Sequence, residues 1–547
     1  MPDAIERVAT AFLDTFAIDH LPPPELRPVI DLSSLPHLAA RPRLNAAAEL
    51  LDAAVQGGHA DRVVIRTPDG NWTYGRLLAE SNRIACALIE EYGLLPGQRV
   101  LLRGPNGPMM AACWFAVLKA GGIAVTTMPL LRARELTYIM NKARVSLALC
   151  DVRNAAELAT AATASPSLNR TIHFGGPSNP AALEAKAERK SGTFTNVDTA
   201  ADDIAIIAFT SGTTGQAKGT MHSHRDLMAI CDLFPVSVLQ ATADDIFCGS
   251  PPLAFTFGLG GLLLFPVRIG ASVVHLENAP PPVLAKAVLD FQATVCFTAP
   301  TAYRAMIPLI ERDHLSSLRK CVSAGEHLPK ATFEAWRAAT GHSIIDGIGS
   351  TELLHIFISS PEGEIRPGAT GRVVPGYTAR LLDDDGNDVP TGELGRLAVR
   401  GPTGCRYLDD PERQAAYVQD GWNITGDTYR KDEDGYFWYA ARSDDMIISG
   451  GYNISGPEVE NILLMHEAVA ECGVIGAADE ERGQVVAAYV VLKPGHVAGD
   501  TLCRTLQDFV KTEIAPYKYP RRIEFVDKLP RTETGKLQRF RLREEAS

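Results

Sequence analysis

The sequence predicts an α/β protein with a large N-terminal domain of layered sheets and helices and a small, mobile α+β C-terminal domain. Short apolar runs alternate with helix-like segments along most of the chain, which is typical of parallel strands covered by helices. The 547 residues also exceed what one compact core usually contains. The chain changes character near residue 444 and then carries its own strand and helix candidates. We therefore expect two domains, residues 1–443 and 444–547.

Three strand–helix units illustrate the alternation in the large domain. In each, an apolar run precedes a helix-like segment: 99–103 before 108–119, 293–297 before 301–311, and 318–323 before 330–339. Residues 176–203 are rich in charged and small polar side chains, so we expect a solvated connection there. The candidates in the small domain are 468–476, 485–492, 502–514 and 522–526.

Composition describes an ordinary soluble globular protein, with 46% hydrophobic and 22% charged residues. The net charge of -12 argues against a nucleic-acid partner, because binding a polyanion needs a basic surface. The ten cysteines are scattered without a C-x-x-C pair, so we expect reduced, buried thiols in a cytoplasmic protein rather than a metal cluster or disulfide framework. We expect no signal peptide and no membrane span, since the longest apolar stretch, 259–269, is short and broken by glycine and proline.

The most informative stretch is a loop of hydroxyl, glycine and lysine residues that follows the apolar run 204–209. Its candidate binding residues are Thr210, Ser211, Gly212, Thr213, Thr214, Gly215 and Lys218. Glycines let the backbone approach an anion closely, N–H groups and hydroxyls donate to it, and the lysine adds a positive charge. The loop therefore predicts a phosphate site between a buried strand and a helix at 222–234; taken alone, it is also compatible with a mobile surface loop. Its spacing is not that of a Walker A motif.

Four further motifs follow this loop along the chain. They are Asp346-Gly347-Ile348-Gly349-Ser350-Thr351-Glu352, Thr425-Gly426-Asp427, Ala441-Arg442-Ser443-Asp444-Asp445 and Pro530-Arg531-Thr532-Glu533-Thr534-Gly535-Lys536. Together with the loop, they resemble the core motifs of the adenylate-forming superfamily of acyl-CoA synthetases, adenylation domains and luciferases. The resemblance extends from Trp72 to Lys536. It implies ATP, Mg²⁺ and CoA as cofactor and co-substrates, and an acyl-AMP intermediate.

The resemblance also implies a role for each motif. Lys536 stabilises charge during adenylation, Thr351 donates to a phosphate, and Glu352 is the oxygen ligand of Mg²⁺. The other residues implied to bind nucleotide or CoA are Gly325, Glu326, Asp346, Gly347, Asp427, Arg442, Gly450, Gly451 and Tyr452. Asp444 is implied to be the hinge about which the small domain rotates between the two half-reactions. Taken alone, Glu352 is also compatible with a solvated carboxylate, and Asp427 and Arg442 with surface ion pairs.

Within the superfamily, residues 346–357 and 254–260 resemble benzoate-type CoA ligases, and residues 19–24 resemble the 2-aminobenzoate branch. The implied acid pocket contains Thr256, Phe257, Ala324, Gly349, His355 and Ile356. Phe257 can stack on an aromatic ring, and the small residues leave room for a flat acid. The benzoate pattern has alanine and tyrosine where this chain has Thr256 and Phe257. We therefore expect Thr256 to accept a hydrogen bond from an ortho-amino group, so that 2-aminobenzoate is preferred.

Several alternatives stay open at this point. Benzoate is the alternative substrate, and a stand-alone adenylating enzyme that loads a carrier protein is the alternative function. A nucleotide-binding regulatory protein would be expected to have lost Lys536, Glu352 or Asp427, and all three are present. His355 is explained equally well as a structural residue, and the pair of histidines at 222 and 224 by packing at a helix start rather than by a metal. The expected partners are the aryl carboxylate, ATP and CoA, and the expected state is a monomer or homodimer.

Overall fold

The structure is a computed structural model that describes residues 9–176, 179–210, 217–309, 315–442, 445–449, 452–479, 482–514, 516–531 and 535–546. The strands in these residues are β1 (Val63–Thr67), β2 (Gly70–Thr73), β3 (Arg99–Arg103), β4 (Ile123–Thr127), β5 (Leu147–Asp151), β6 (Arg170–Phe174), β7 (Ile204–Thr210), β8 (Lys218–Ser223), β9 (Ile246–Gly249), β10 (Ser272–Val274), β11 (Val295–Thr298), β12 (Lys320–Ser323), β13 (Ile344–Gly349), β14 (Ile356–Ser359), β15 (Arg372–Val373), β16 (Thr378–Leu382), β17 (Leu394–Arg400), β18 (Val418–Gln419), β19 (Trp422–Lys431), β20 (Phe437–Arg442), β21 (Ile447–Ser449), β22 (Tyr452–Ile454), β23 (Val469–Asp479), β24 (Gly483–Leu492) and β25 (Arg522–Phe525).

The α-helices are α1 (Phe16–Asp19), α2 (Pro36–Ala39), α3 (Tyr74–Glu90), α4 (Pro108–Lys119), α5 (Ala133–Lys142), α6 (Ala155–Ala162), α7 (Leu183–Ala187), α8 (His224–Ser237), α9 (Thr256–Leu259), α10 (Phe265–Ile269), α11 (Pro281–Phe291), α12 (Pro300–Met306), α13 (Lys330–Thr340), α14 (Pro411–Tyr417), α15 (Gly456–Leu463), α16 (Asp500–Glu513) and α17 (Arg539–Ala546).

Two large sheets build most of the N-terminal part. One has nine strands in the order β15-β14-β13-β12-β11-β9-β10-β1-β2, and the other has six in the order β6-β5-β3-β4-β7-β8. Their central pairs are parallel, including β3 with β4 and β11 with β12. Parallel strands need crossover connections, and the helices between them supply these. The predicted α/β class is therefore confirmed.

Two smaller sheets complete the chain. One joins β16, β17, β19, β18 and β20, and the other joins β22, β21, β24, β23 and β25. The second has a hydrophobic core of its own, with Val459, Val474, Val486 and Leu506 among its buried members. Residues from 447 onward thus form the small α+β unit that the sequence predicted.

Most of the individual elements also match the predictions. Strand β3 and helix α4 coincide with the predicted 99–103 and 108–119, and the strands and helix of the small domain lie within three residues of their predicted bounds. Helix α12 is shorter than predicted: it ends at Met306 and continues as a 3₁₀ turn, Ile307–Leu309. Pro308 accounts for this change, because it has no N–H group with which to continue the i→i−4 hydrogen bonds of the helix. Residues 310 and 311 lie outside the described part.

One predicted helix is displaced by two residues, and one prediction about a connection is wrong. The predicted helix at 222–234 begins later, at His224, because residues 218–223 form β8 against β7. The predicted solvated connection at 176–203 contains α7, whose Leu183 and Ala187 are fully buried. Spaced four apart on one face, these two apolar residues pack into the main core, which the polar residues around them conceal in the sequence.

A buried arginine fixes the connection after β4. Arg103, the last residue of β3, is 1% exposed. Its guanidinium donates to four carbonyl oxygens, those of Met128 at 2.7 Å, Pro129 at 2.8 Å, Leu131 at 2.9 Å and Asn154 at 3.2 Å. Burial lowers the pKa of this guanidinium. The side chain therefore donates to backbone carbonyls of the connections after β4 and after β5, at the carboxyl ends of these strands.

The cysteines agree with the predicted reduced, buried thiols. Nine of the ten are buried and unpaired, and Cys503 on α16 is partly exposed. Within the described residues, no helix combines the length and the apolar character that crossing a bilayer requires.

Candidate active site

The predicted phosphate loop connects two antiparallel strands. Thr210, at the end of β7, lies opposite Lys218 at the start of β8, so the chain leaves and re-enters the sheet at neighbouring positions. Ser211, Gly212, Thr213, Thr214 and Gly215 themselves lie outside the described residues. The Lys218 ammonium lies 5.6 Å from the centre of the Tyr407 ring. The Tyr407 hydroxyl in turn donates to Glu352 Oε1 at 2.7 Å. The two strand ends thus place Lys218 near the predicted metal ligand.

His222 on β8 fixes the backbone of the Ser-Thr-Glu motif. Its Nε2 lies 2.7 Å from the carbonyl oxygen of Thr351. Burial lowers the pKa of His222 to about 4, so the ring is neutral near pH 7 and its Nε2–H donates to this carbonyl. His224 Nδ1 accepts from the backbone N–H of Ala46 at 3.1 Å. Backbone groups thus hold both histidines, His222 within β8 rather than at the predicted helix start and His224 at the first residue of α8. In the described part of the chain, no group of three or more metal-ligating side chains occurs.

The predicted adenine segment runs along the ends of β12 and β13. Gly325 has a φ of +89°, a left-handed conformation that glycine adopts without strain. A Cβ on Gly347 would lie 2.8 Å from Ile356 Cγ2, so a side chain does not fit there. Asp346 lies beside Gly347 on β13, and its Oδ1 is inaccessible to water and has no hydrogen-bond partner. A buried acceptor without a donor is costly to the folded state.

Asp346 also predicts a pH effect on stability. Burial raises the pKa of its carboxyl from the ordinary value of 3.8 to about 8. Between these values the folded carboxyl is protonated and the unfolded one is ionised, so stability falls as pH rises from about 4 to about 8. Across that window the free energy of unfolding of the wild type should fall by up to about 1.4 kcal/mol per pH unit because of this carboxyl. Asp346→Asn has no carboxyl there, so its free energy of unfolding should lack this contribution to the fall. Urea unfolding at pH 5.5 and 7.5 measures the difference, and equal pH dependence in both proteins would contradict it.

The predicted ribose residues face each other across two strands. Asp427 on β19 pairs in register with Arg442 at the end of β20. Arg442 Nη1 lies 3.7 Å from Asp427 Oδ1, and a Cβ on Gly426 would lie 3.1 Å from Arg442 Nη2. Gly426 therefore leaves the space that lets this guanidinium lie along the strand next to the carboxylate.

Lys536 reaches this site from the small domain. Its Cε lies 3.7 Å from the position that a Cβ on Gly325 would occupy. Burial lowers the pKa of Lys536, and Arg442 adds to this, whereas the carboxylates of Glu326, Asp427 and Glu352 favour the charged form. The structure thus brings the predicted catalytic lysine among three of the predicted nucleotide and metal residues. Burial also raises the pKa of Glu326, although Arg531 and Lys536 oppose the shift.

The predicted acid pocket contains a cluster of aromatic rings. The His355 ring lies 5.8 Å from Phe257, 4.6 Å from Phe265 and 5.6 Å from Phe234 between ring centres. Both ring nitrogens of His355 lack a hydrogen-bond partner. Burial lowers the pKa of His355 to about 3, despite the opposing effect of the Phe257 backbone, so the ring is neutral.

The walls of this cluster are tightly fitted. A side chain on Gly260 would collide with the His355 ring, and a Cβ on Gly349 would lie 2.7 Å from the His355 carbonyl oxygen. Ile356 and Ala324 are buried in the same core. Leu354, just before His355, has a φ of +72°, which is strained for a bulky residue. The backbone is therefore held in an unfavourable conformation between Glu352 and the histidine.

Thr256 lies apart from this cluster. It lines a neighbouring cavity with Trp114, Ile206, Ala208 and Leu259. Consecutive residues of a helix point about 100° apart, so Thr256 and Phe257 on α9 face different surroundings. The structure brings Phe257 to His355 and places Thr256 at the next cavity.

Several predicted residues are not described. Asp444, Gly450 and Gly451 lie outside the described residues, as does the side chain of Tyr452, whose backbone belongs to β22. Their roles stay predictions. Conversely, Tyr407 contacts Glu352 across 55 positions of the chain and was not among the predicted site residues. No local pattern marks it.

Comparison with known proteins identifies the family. The AMP-binding enzyme family matches residues 51–406, and the C-terminal domain of AMP-binding enzymes matches residues 458–536. The chain therefore belongs to the AMP-binding enzyme family, and the resemblance to the adenylate-forming superfamily is confirmed. It is 36% identical to a benzoate–CoA ligase of Thauera aromatica over 521 residues, 94% of this chain and 99% of the relative.

Two solved structures of similar sequence are also CoA ligases of aromatic acids. A crystal structure of an anthranilate CoA ligase in complex with anthranoyl-AMP has 36% identity and a TM-score of 0.88, covering 95% of this chain and 99% of that one. A benzoate CoA ligase from Burkholderia xenovorans LB400 has 33% identity and a TM-score of 0.83, covering 91% and 100%. Both structures extend over the large and the small domain of this chain.

Proposed function

We propose that this chain is an ATP-dependent aryl-CoA ligase that works through an aryl-AMP intermediate and prefers 2-aminobenzoate. The observation that carries the proposal is the position of Lys536 beside Gly325 and among the carboxylates of Glu326, Asp427 and Glu352. A cation held beside the predicted nucleotide residues is suited to stabilising negative charge that develops on a phosphate. The family to which the chain belongs and the names of its relatives support the same chemistry.

The reaction has two half-reactions. In the first, a carboxylate oxygen of the acid attacks the α-phosphorus of ATP, the bond to the bridging oxygen breaks, and pyrophosphate leaves. Lys536 and Thr351 donate to the phosphate oxygens in this step. In the second, the CoA thiol loses its proton and attacks the acyl carbon, and AMP leaves with the electrons of the acyl–oxygen bond.

The residues fit the nucleotide at three places. Asp346 Oδ1, an acceptor without a donor, suits the exocyclic amine of adenine. The two oxygens of Asp427 suit the ribose hydroxyls, and the loop between Thr210 and Lys218 suits the terminal phosphates. Glu352 offers one carboxylate for Mg²⁺, a cation that binds through one or two carboxylates together with phosphates and water. When bound, Mg²⁺ neutralises charge on the triphosphate.

The neutral aromatic cluster supports an aromatic acid as the substrate. Phe257 and His355 are apolar or uncharged near pH 7, so they suit a flat ring better than a polar chain. The benzoate and anthranilate ligases among the relatives support this class. The proposed preference for 2-aminobenzoate requires the ortho-amino group to extend from the aromatic cluster into the neighbouring cavity, where the Thr256 hydroxyl would accept from it.

An acid panel tests this preference. We expect kcat/KM for 2-aminobenzoate to exceed that for benzoate and 2-fluorobenzoate roughly two- to tenfold, the range of one hydrogen bond. Thr256→Ala should remove the preference, and the matched Thr256→Ser, which retains the hydroxyl, should keep it. Faster turnover of benzoate, or an unchanged preference in Thr256→Ala, would contradict the assignment.

Loading of a carrier protein is the alternative acceptor reaction. Incubation with ATP, 2-aminobenzoate and CoA, followed by mass detection of the thioester, distinguishes the two functions.

We further propose that the domains meet at Asp444. The separate core of residues 447 onward and the match of the C-terminal family at 458–536 support this boundary.

A further inference from the structure

The segment that carries Lys536 is held by one arginine. Arg531 and Leu537 form a bridge across the base of this segment. Arg531 Nη1 donates to the carbonyl oxygen of Gly535, the residue before Lys536, at 2.6 Å. Its Nη2 donates to Glu471 Oε2 on β23, also at 2.6 Å. The guanidinium therefore joins the backbone next to the lysine to the sheet of the small domain.

The same arginine faces the large domain. Arg531 Nη1 lies 3.8 Å from Glu326 Oε1. The side chain of Glu326 is only 15% exposed, and Arg531 is the strongest of the groups that favour its ionised form. On the other side, Arg304 of α12 lies 3.6 Å from Glu471 Oε1. Glu471 and Arg531 of the small domain thus form a row of alternating charges with two residues of the large domain. Arg304 lies next to Glu471 at one end of the row, and Glu326 lies next to Arg531 at the other.

We propose that Arg531 is a positioning residue for Lys536 in the first half-reaction of the proposed function, on which this inference rests. A lysine side chain has four rotatable carbons, so its ammonium is placed only as well as its backbone is placed. The planar guanidinium fixes the Gly535 carbonyl and both carboxylates in one geometry, which a lysine cannot do. Arg531 itself touches neither the nucleotide residues Asp427 and Glu352 nor the aromatic cluster in any contact that the described residues show.

The consequence is a selective kinetic effect. A displacement of about 1 Å in a reacting group costs on the order of 10²-fold in rate. Formation of aryl-AMP depends on Lys536, whereas thioester formation from supplied aryl-AMP does not in the proposed mechanism. Loss of Arg531 should therefore slow the first step and spare the second, which a general loss of structure would not do.

The test compares the two steps in the full-length Arg531→Gln variant. We expect pyrophosphate release from ATP and 2-aminobenzoate without CoA to slow about ten- to hundredfold, with the loss in kcat rather than in KM for ATP. Thioester formation from 2-aminobenzoyl-AMP and CoA should stay at the wild-type rate. Arg531→Lys should recover part of the rate. The matched control is Arg522→Gln, the same change at an exposed arginine of β25.

A second variant covers the case in which Arg531→Gln does not fold. Glu471→Gln removes the charge of one hydrogen-bond partner of the Arg531 guanidinium. This variant should also slow pyrophosphate release and spare thioester formation, but by a smaller factor than Arg531→Gln. Equal slowing of both steps, or no slowing of either, overturns the positioning role. A wild-type protein that releases no pyrophosphate with any aryl acid instead overturns the proposed function, so the two failures are distinguishable.

Discussion

Lys536→Ala is expected to slow aryl-AMP formation by about 10²–10³-fold while thioester formation from supplied aryl-AMP continues at close to the wild-type rate. Lys536 Cε lies 3.7 Å from the Cβ position of Gly325, so the charge stands beside the predicted nucleotide residues although the side chain is exposed to water. Alanine removes that charge from the step in which the phosphate becomes more negative. Single-turnover pyrophosphate release measures the first step, and thioester yield from aryl-AMP and CoA measures the second.

Lys528→Ala is the matched control for this experiment. Lys528 is exposed and lies in the same domain, so the same change of charge and length there should leave both steps unchanged. If Lys536→Ala slows both steps to the same extent, the lysine supports the domain as a whole, and its assigned role in adenylation is wrong.

Arg103→Met should lower the free energy of unfolding of the large domain by about 3–5 kcal/mol. The substitution leaves the carbonyls of Met128, Pro129, Leu131 and Asn154 without their donor in a buried site. Methionine has a similar length but no N–H group. All five tryptophans lie before residue 444, so their fluorescence during urea unfolding reports on the large domain alone.

The matched control is Arg132→Met at a side chain that is 77% exposed and paired with Glu157. A surface ion pair contributes about 0–1 kcal/mol, so this variant should unfold close to the wild type. Comparable losses in the two variants would show that the carbonyl contacts of Arg103 contribute little. Arg103→Lys should lie between them, because an ammonium reaches fewer of the four carbonyls.

The elements that could be predicted are those with local signals. An apolar run followed by an amphipathic or apolar helix identified β3 and α4 at their observed bounds. Strand β8 was missed because its residues, Lys218–Ser223, are half polar and become a strand only through pairing with β7 and with the backbone at Arg406 and Leu408. These contacts are distant in sequence and leave no periodic pattern.

The candidate site shows the same division. Motifs identified Lys536, Asp427 and Glu352, and the structure places them together. The sequence did not indicate that Tyr407 supports Glu352 or that Thr256 faces the neighbouring cavity. The first depends on a contact between distant segments, and the second on the direction of one side chain on a single helical turn. A motif specifies which residues occur, whereas the packing of their neighbours decides where each side chain points.

The distribution of thiols has a practical consequence for observing the two domains. Nine cysteines are buried, and Cys503 on α16 is partly exposed. Burial raises the pKa of the buried thiols such as Cys113 and Cys231, and thiolate is the form that alkylating reagents attack. A maleimide dye therefore has one accessible target in the folded protein, and that target lies on the small domain. The native chain thus carries its own attachment point on the small domain for a fluorophore, with which the proposed rotation of that domain can be tested.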